Sequence, residues 1–194
     1  MVDVDGVLVT SPQGRLWSWN AQADLGLDPE LFQSRFFKPH WPDVVFGRAD
    51  LHDRLAPVLA EIAPHLTSQA VAEYWFANDA HLDHDLLADL GALRETGVVL
   101  HLATVQEHHR ARYLWETLGF RDRFDAIHYS ADYGCGKPDP VFFAAVAART
   151  GFAPADLTLI DDRVSNVEGA RACGWRGVLW DGSRSLATVL AEAD

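Results

Sequence analysis

The sequence predicts an α/β protein, a Rossmann-like parallel sheet with a small all-helical cap inserted after the first strand. From about residue 97 onward, short apolar runs alternate with amphipathic stretches, which is typical of parallel strands covered by helices. Between about residues 11 and 95, apolar residues recur at helical spacing and no convincing strand is found. We therefore expect the core to comprise residues 1–10 and 84–194, and the cap to comprise residues 11–83.

The elements of the core have recognisable signals. The apolar runs predict strands at 98–103, 126–129, 157–160 and 177–180. A helix is expected at 107–118. Asp139 followed by Pro140 is a helix start signal, and Gly151 is a stop signal. Ser165 and Glu168 have the spacing of a capping box, which predicts that a further helix begins there.

The cap is predicted to be helical throughout, apart from its loops. Helical spacing is found at 16–25, 29–37, 51–62, 69–76 and 86–94, and the last of these is assigned to the core as the helix before strand 98–103. The stretch 38–48 is expected to be a cap loop, and 77–84 is expected to be a hinge. The loop residues 37–41 combine a cation, an imidazole and aromatic rings, so they are the expected contacts to the substrate.

Composition restricts the class of protein. The chain has 194 residues, of which 48% are hydrophobic, which suits one compact domain or a domain with an insertion. A formal charge of −12 argues against nucleic acid or an anionic membrane as a partner. Cys135 and Cys173 are far apart, which fits free thiols in a reducing compartment. Without a signal peptide or a long apolar run, the expectation is a soluble cytoplasmic protein.

The first motif is a pair of carboxylates near the start of the chain. Asp3 and Asp5 alternate along an extended segment, and Gly6 allows a sharp turn after them. A carboxylate can attack phosphorus and form an aspartyl-phosphate. A second carboxylate one turn away can protonate the leaving oxygen and later deprotonate water. Asp-x-Asp-Gly is also a common turn sequence, so the motif by itself leaves both interpretations open.

Two further residues follow apolar runs and have the chemistry to bind a phosphate. The hydroxyl of Thr104 could donate to a phosphoryl oxygen or simply end its strand. Lys137 lies in a Gly-Cys-Gly-Lys-Pro loop, where it would be a fixed cation facing the phosphate. Loops that leave the carboxyl ends of parallel strands meet at one edge of a sheet, so these residues can converge with Asp3.

Adjacent acids after the third apolar run predict a metal site. Asp161 and Asp162 would repel each other unless a cation lies between them. Mg²⁺ prefers oxygen ligands, and Asp162 with Asp3 and the backbone carbonyl of Asp5 supplies such a set. Asn166 could orient these carboxylates, or it could only cap the following helix.

The four motifs in this order resemble the haloacid dehalogenase superfamily, specifically its Mg²⁺-dependent phosphatase branch with a helical cap. The resemblance covers essentially the whole chain, and residues 102–170 are most similar to the sugar-phosphatase and epoxide-hydrolase phosphatase-domain group. It implies a nucleophile at Asp3, an acid–base at Asp5, phosphate binding by Thr104 and Lys137, and metal binding by Asp3, Asp5, Asp161 and Asp162, with Asn166 in support.

Two positions bear on how far the resemblance extends. The true dehalogenases of the superfamily lack the second aspartate of the first motif, so Asp5 argues against dehalogenation. Family members often have asparagine where this chain has Val105, which affects substrate recognition at that point.

The expected function is hydrolysis of a small phosphorylated metabolite through an aspartyl-phosphate, with Mg²⁺ as cofactor. Sugar phosphates are among the candidate substrates. One rival is a phosphomutase with the same nucleophile. Another is a catalytically silent binding protein that keeps the fold, although clustered carboxylates without a cation would be costly to such a fold. The sequence does not indicate the oligomeric state.

The first strand is expected to be central in the sheet, yet only Met1 and Val2 precede Asp3. Central strands commonly run about five or six residues. Either the natural protein begins upstream of Met1, which is the favoured interpretation, or the sheet tolerates a short first strand whose amine reaches solvent or a carboxylate.

Overall fold

The structure is a computed structural model that describes residues 1–11 and 14–192, and it confirms the α/β fold with a helical cap. The strands are β1 (His101–Thr104), β2 (Ala126–Tyr129), β3 (Thr158–Asp161) and β4 (Arg176–Leu179). The cap helices are α1 (Ala21–Leu25), α2 (Pro29–Phe32), α3 (Lys38–Val44), α4 (Leu51–Ile62) and α5 (Ser68–Asn78). The core helices are α6 (His84–Glu95), α7 (His108–Arg112), α8 (Ser130–Tyr133), α9 (Pro140–Thr150), α10 (Val164–Ala172) and α11 (Leu186–Ala191). None of these helices has both the length and the apolar character needed to cross a membrane.

The first residues of the chain join two parallel strand pairs into one sheet. β1 pairs with β2, and β3 pairs with β4, both in parallel. Val2 forms parallel bridges to Leu102 in β1 and to Ile160 in β3. The order is therefore β2, β1, the N-terminal segment, β3, β4, which confirms that the segment ending in Asp3 is central. This order brings the end of that segment next to the ends of β1 and β3.

The central segment is short, and the strands on either side of it, β1 and β3, have only four residues each. Strand β1 begins at His101 rather than at residue 98, and Val98 and Val99 are 41% and 48% exposed. The central segment is bridged to β1 at Leu102, and none of the described residues of that segment pairs with Val98 or Val99. The α-amino group of Met1 donates to the carbonyl of Thr158 at 2.8 Å, and burial lowers the pKa of this amine to about 5. A cavity of about 600 Å³ lies beside it, lined by Met1, Val98, Val99 and Leu157 among others.

The helix signals after residue 130 are confirmed with one correction. Asp139 caps α9 by accepting from the amide of Val141 at 2.8 Å, and Gly151 ends it in the left-handed conformation. The predicted capping box at Ser165 is wrong, because α10 already begins at Val164. The amide of Arg163 donates to Asp161 Oδ1 at 2.9 Å, which turns the chain into the helix two residues earlier.

The predicted cap loop at 38–48 is also wrong, since its first part is the helix α3. A π-helical turn, Gln33–Phe37, leads directly into α3 despite the prolines at 39 and 42. The wider turn accommodates residues that cannot complete the usual hydrogen-bond ladder. Burial of Phe36 and Val44 against the cap core holds the segment helical.

Hydrophobic packing is divided among three clusters. One unites buried residues of the cap between Ala21 and Phe76. The other two cover opposite faces of the sheet, because neighbouring strand residues alternate between them. Leu102 belongs to one of these clusters and Ala103 to the other. The sheet is thus covered on both faces, and the buried polar residues Asp3, Thr104 and Asp161 lie at its carboxyl edge.

Candidate active site

Asp3 lies at the centre of the carboxyl edge, where the central segment ends. Its side chain is buried, and its Oδ1 accepts a hydrogen bond from the amide of Val4 at 2.7 Å. Lys137 Nζ lies 2.9 Å from the same oxygen. Burial raises the pKa of the Asp3 carboxyl to about 7, although Lys137 acts in the opposite direction. In the absence of a further cation, this carboxyl therefore holds its proton far more tightly than an exposed aspartate.

The lysine is a cation shared between two carboxylates. Lys137 reaches the edge from the loop before α9. The peptide bond between Lys137 and Pro138 is cis. Its Nζ donates to Asp161 Oδ2 at 2.5 Å in addition to its contact with Asp3, and its side chain is fully buried. Asn166, from the first turn of α10, donates to the two oxygens of Asp161 at 2.9 and 3.1 Å. The carboxylate of Asp161 is thus held in one orientation.

Asp162 completes a cluster that fits a divalent cation. Carboxylate oxygens of Asp3, Asp161 and Asp162 all lie within 4.8 Å of one another. Burial and the neighbouring Asp161 raise the pKa of Asp162. Three carboxylates with Lys137 as the cation between them leave negative charge in excess, and hard oxygen donors of this kind suit Mg²⁺.

Gly6 is required by this cluster. It has a φ of 84°, and a Cβ at this position would lie 2.4 Å from Asp162 Oδ2. Any other residue would push Asp162 away from Asp3, and the left-handed conformation would be strained.

Asp5 lies outside the cluster and has a different environment. Asp5 is an exposed residue, in contrast to the buried Asp3, although the protein around its carboxyl group partly desolvates it. Burial raises the pKa of Asp5 to about 6, with the carboxylate of Asp79 acting in the same direction. Gln106 Nε2 donates to Asp5 Oδ2 at 2.6 Å. Of the two carboxylates in the first motif, one faces the acidic cluster and the other faces an amide.

Gln106 is a site residue that the motifs did not predict. It is buried, and it lies two residues beyond the end of β1. The sequence signal that could have found it is its position: Val105 replaces the usual asparagine, and the next residue carries the amide.

Thr104 is placed where the sequence predicted, as the last residue of β1. It is 1% exposed and pairs in register with Tyr129. Because β1 borders the central segment, Thr104 lies on the same sheet edge as Asp3. Its role in binding phosphate stays a prediction.

The edge thus joins a fully buried lysine to the two buried acids Asp3 and Asp161. The haloacid dehalogenase-like hydrolase family matches residues 1–174, so the chain belongs to that family. Among curated proteins, a glyceraldehyde 3-phosphate phosphatase of Methanopyrus kandleri is 28% identical over 90% of this chain and 79% of its own length.

Solved structures give the same fold. A haloacid dehalogenase family enzyme of Bacteroides thetaiotaomicron, in complex with magnesium and inorganic phosphate, superposes with a TM-score of 0.78 at 18% identity, over 96% of each chain. A haloacid dehalogenase-like hydrolase of Porphyromonas gingivalis gives a TM-score of 0.75 at 20% identity, over 98% of this chain and 94% of its own. At these identities the likeness concerns the fold.

Proposed function

We propose that this protein is a Mg²⁺-dependent phosphomonoesterase that hydrolyses a small phosphorylated metabolite through an aspartyl-phosphate on Asp3. The observation that carries the proposal is the joint placement of Asp3 against Lys137 and of Asp5 against Gln106. Lys137 Nζ lies 2.9 Å from Asp3 and places a cation beside the proposed nucleophile, whereas Asp5 accepts a hydrogen bond from a neutral amide at 2.6 Å. Burial raises the pKa of both carboxyls, so the two roles are assigned from these partners, and a cation bound beside Asp3 would favour its ionised form.

The chain's own residues would carry the reaction in two displacements. In the first, an oxygen of Asp3 attacks phosphorus, the bond to the ester oxygen breaks, and Asp5 gives its proton to the departing alcohol. In the second, water attacks the aspartyl-phosphate, Asp5 takes the proton from that water, and inorganic phosphate leaves Asp3 free. Lys137 supplies positive charge to the phosphoryl oxygens, with Thr104 as a candidate hydroxyl donor.

The acidic cluster is the proposed place of the Mg²⁺ ion. Asp3, Asp161 and Asp162 would hold it together with the backbone carbonyl of Asp5. A bound divalent cation would offset the repulsion between the carboxylates and the substrate phosphate.

We propose that residues 11–83 act as a cap that selects small substrates. A recess of about 600 Å³ is lined by Phe46 and Arg48 of the cap and by residues 134–140 of the core, including Lys137. The side chain of Lys137 is fully buried, and neither Asp3 nor Asp5 lines this recess. Phe46 and Arg48 are proposed as substrate contacts because they are the cap residues that face the Lys137 loop. The rings of Phe37 and Trp41, expected to make those contacts, instead pack on Trp75 at centroid distances of 5.4 Å.

The experiment is phosphate release from p-nitrophenyl phosphate and from a panel of triose, pentose and hexose phosphates, with Mg²⁺ and with EDTA. The wild type is expected to need the metal, and the panel ranks the natural substrate class. Asp3→Asn is expected to lower kcat by about 10³-fold or more, as loss of a covalent nucleophile does. Product analysis with a hexose 1-phosphate distinguishes hydrolysis from phosphoryl migration.

Asp89→Asn is the matched control, because Asp89 is an exposed aspartate on α6. It should leave kcat unchanged. Near-normal turnover of Asp3→Asn, or no release of phosphate from any ester at saturating Mg²⁺, would contradict the proposed function.

A further inference from the structure

Arg110 is a charged side chain buried in the junction between the core and the cap. It belongs to α7, and its side chain is 1% exposed. A buried charge is costly unless several partners compensate for it. Arg110 Nη1 donates to the carbonyl of Phe76 at 2.9 Å, Nη2 donates to the carbonyl of Asp79, and Nη2 lies 3.5 Å from Asp79 Oδ2.

These partners lie at the carboxyl end of the last cap helix. The final carbonyls of a helix have no partner within it, and a cation there also interacts favourably with the helix dipole. Helix α5 ends at Asn78, so Arg110 binds one of its last carbonyls and its C-cap residue. The guanidinium also lies 5.5 Å from the ring centroid of Phe76 and 5.4 Å from that of Tyr113. A residue of the core thus fixes the helix by which the chain leaves the cap.

The same junction contains both crossings of the chain between cap and core. The amide of Thr10 donates to the carbonyl of His81 at 2.8 Å, and the amide of Asp83 donates to the carbonyl of Leu8 at 2.9 Å. The outgoing and returning segments therefore run side by side, immediately after the first motif. A displacement of α5 would be transmitted to the segment that carries Asp5.

Arg110 also compensates a negative charge, because its guanidinium lies 3.5 Å from the carboxylate of Asp79. Asp79 raises the pKa of the nearby Asp5, and Arg110 lowers it. Without the guanidinium, Asp79 and Asp5 would be two negative groups in one partly buried junction.

We propose that Arg110 is a positioning residue of the active site, which clamps α5 to the core and neutralises Asp79 so that Asp5 keeps its place beside Gln106. This inference rests on the proposed function, in which Asp5 protonates the leaving group. Arg110 acts through its neighbours and has no contact with the substrate.

The experiment compares Arg110→Met, Asp79→Asn and the double variant with the wild type, on p-nitrophenyl phosphate and on glycerol 2-phosphate. The alkyl ester needs a proton on its leaving oxygen and the nitrophenyl ester needs little help. Arg110→Met is therefore expected to lower kcat on glycerol 2-phosphate by about tenfold or more, a part of the 10²–10⁴-fold that a positioned acid provides, and to affect the nitrophenyl ester less. Asp79→Asn added to Arg110→Met should restore part of the loss, because it removes the uncompensated carboxylate.

Hydrogen exchange provides a readout that does not depend on activity. In Arg110→Met, the amides of residues 76–83 are expected to exchange faster than in the wild type. Arg112→Met is the matched control, since Arg112 lies exposed on the same helix, and it should change neither exchange nor activity. If Arg110→Met does not fold, Arg110→Lys replaces it, because lysine keeps the charge but lacks the planar fork that binds two carbonyls.

Unchanged exchange at residues 76–83 would overturn the proposal. So would an equal loss on the two esters that Asp79→Asn does not reduce. If the wild type hydrolyses neither these two esters nor any phosphate of the sugar-phosphate panel at saturating Mg²⁺, the proposed function fails, and the exchange measurement alone then decides whether Arg110 clamps the cap.

Discussion

The amide of Gln106 determines which oxygen of Asp5 is free to exchange a proton. Oδ2 accepts the hydrogen bond at 2.6 Å, so under the proposed function Oδ1 is the oxygen that would exchange a proton with the leaving group and with water. The amide also removes rotational freedom from a carboxyl that is open to solvent. An acid that must act within hydrogen-bond reach of one oxygen gains from being held in this way.

Gln106→Leu is therefore expected to lower kcat on glycerol 2-phosphate by about tenfold, because Asp5 would sample orientations that cannot protonate the ester oxygen. Steady-state kinetics on this ester and on p-nitrophenyl phosphate measures the effect, which should be smaller on the second substrate. Gln22→Leu, an exposed glutamine in α1, is the control. Identical kinetics of Gln106→Leu and the wild type would remove Gln106 from the site.

His128 is a buried polar residue of strand β2. It is 3% exposed, and its two ring nitrogens are hydrogen-bonded to Tyr133 Oη at 2.7 Å and to His101 Nδ1 at 3.0 Å. Burial lowers the pKa of His128 to about 4 from its ordinary value of 6.5, and the proximity of His101 acts in the same direction. The folded protein thus keeps this imidazole neutral where the unfolded chain protonates it.

The lowered pKa of His128 makes the stability of the folded protein depend on pH. Between pH 6.5 and pH 4 the unfolded chain binds more protons at this position, so the free energy of unfolding falls as the pH falls through this window. The shift corresponds to roughly 3 kcal/mol at its full extent. Urea unfolding from pH 7.5 to pH 4 should show a smaller decrease for His128→Gln than for the wild type. His84→Gln, an exposed histidine at the start of α6, should follow the wild type, and parallel curves for all three proteins would refute the assignment.

At the scale of elements, the short central segment borders a cavity at Met1. Beyond Met1, β1 and β3 border a cavity of about 600 Å³ instead of a strand. The covered α-amino group, the exposed Val98 and Val99, and the cavity are three consequences of the same gap. Filling it would bury apolar surface on both neighbours and move the amine out to solvent.

A variant extended before Met1 by four valine or isoleucine residues is expected to melt at a higher temperature than the protein described here. Each kcal/mol gained should raise Tm by roughly 2–4 °C in a chain of this size. The control is an extension of equal length made of glycine and serine, which cannot fill the cavity. Equal melting temperatures for the two extensions would show that the cavity does not accept a strand.

Elements also show where prediction from sequence succeeds and where it stops. Asp3 and Asp161 could be placed together in advance, because each lies at the end of a predicted strand and parallel strands end on a common edge, and Lys137 could be added because its loop follows the strand 126–129. The helix α3 could not be predicted, since its prolines indicate a loop while burial of Val44 among cap residues distant in the sequence favours a helix. A tertiary contact also moves the start of α10 away from the predicted capping box at Ser165. Asp161 accepts a hydrogen bond from the amide of Arg163, and the helix begins before Ser165.

At the scale of the whole molecule, the site is assembled from two bodies joined at several points. Besides the Arg110 clamp, Ser130 Oγ donates to the cap carbonyl of Val45 at 2.7 Å. Gly47 packs so closely that a Cβ there would lie 2.4 Å from the carbonyl of Ala131. Contacts of this kind join residues that are far apart in the sequence, so no local pattern predicts them. The pairing of Gln106 with Asp5 is of the same kind, because the two residues lie 101 positions apart.

Thr10 and His81 are neighbours in the structure, so the residues between them leave the core and return to it at nearly the same point. Two hydrogen bonds, from Thr10 to His81 at 2.8 Å and from Asp83 to Leu8 at 2.9 Å, hold the two ends of the insertion side by side. An insertion of another length would have to bring its ends to the same spacing. It would also have to offer carbonyl groups to Arg110 and Ser130, so the cap and the core constrain each other well beyond the two crossings.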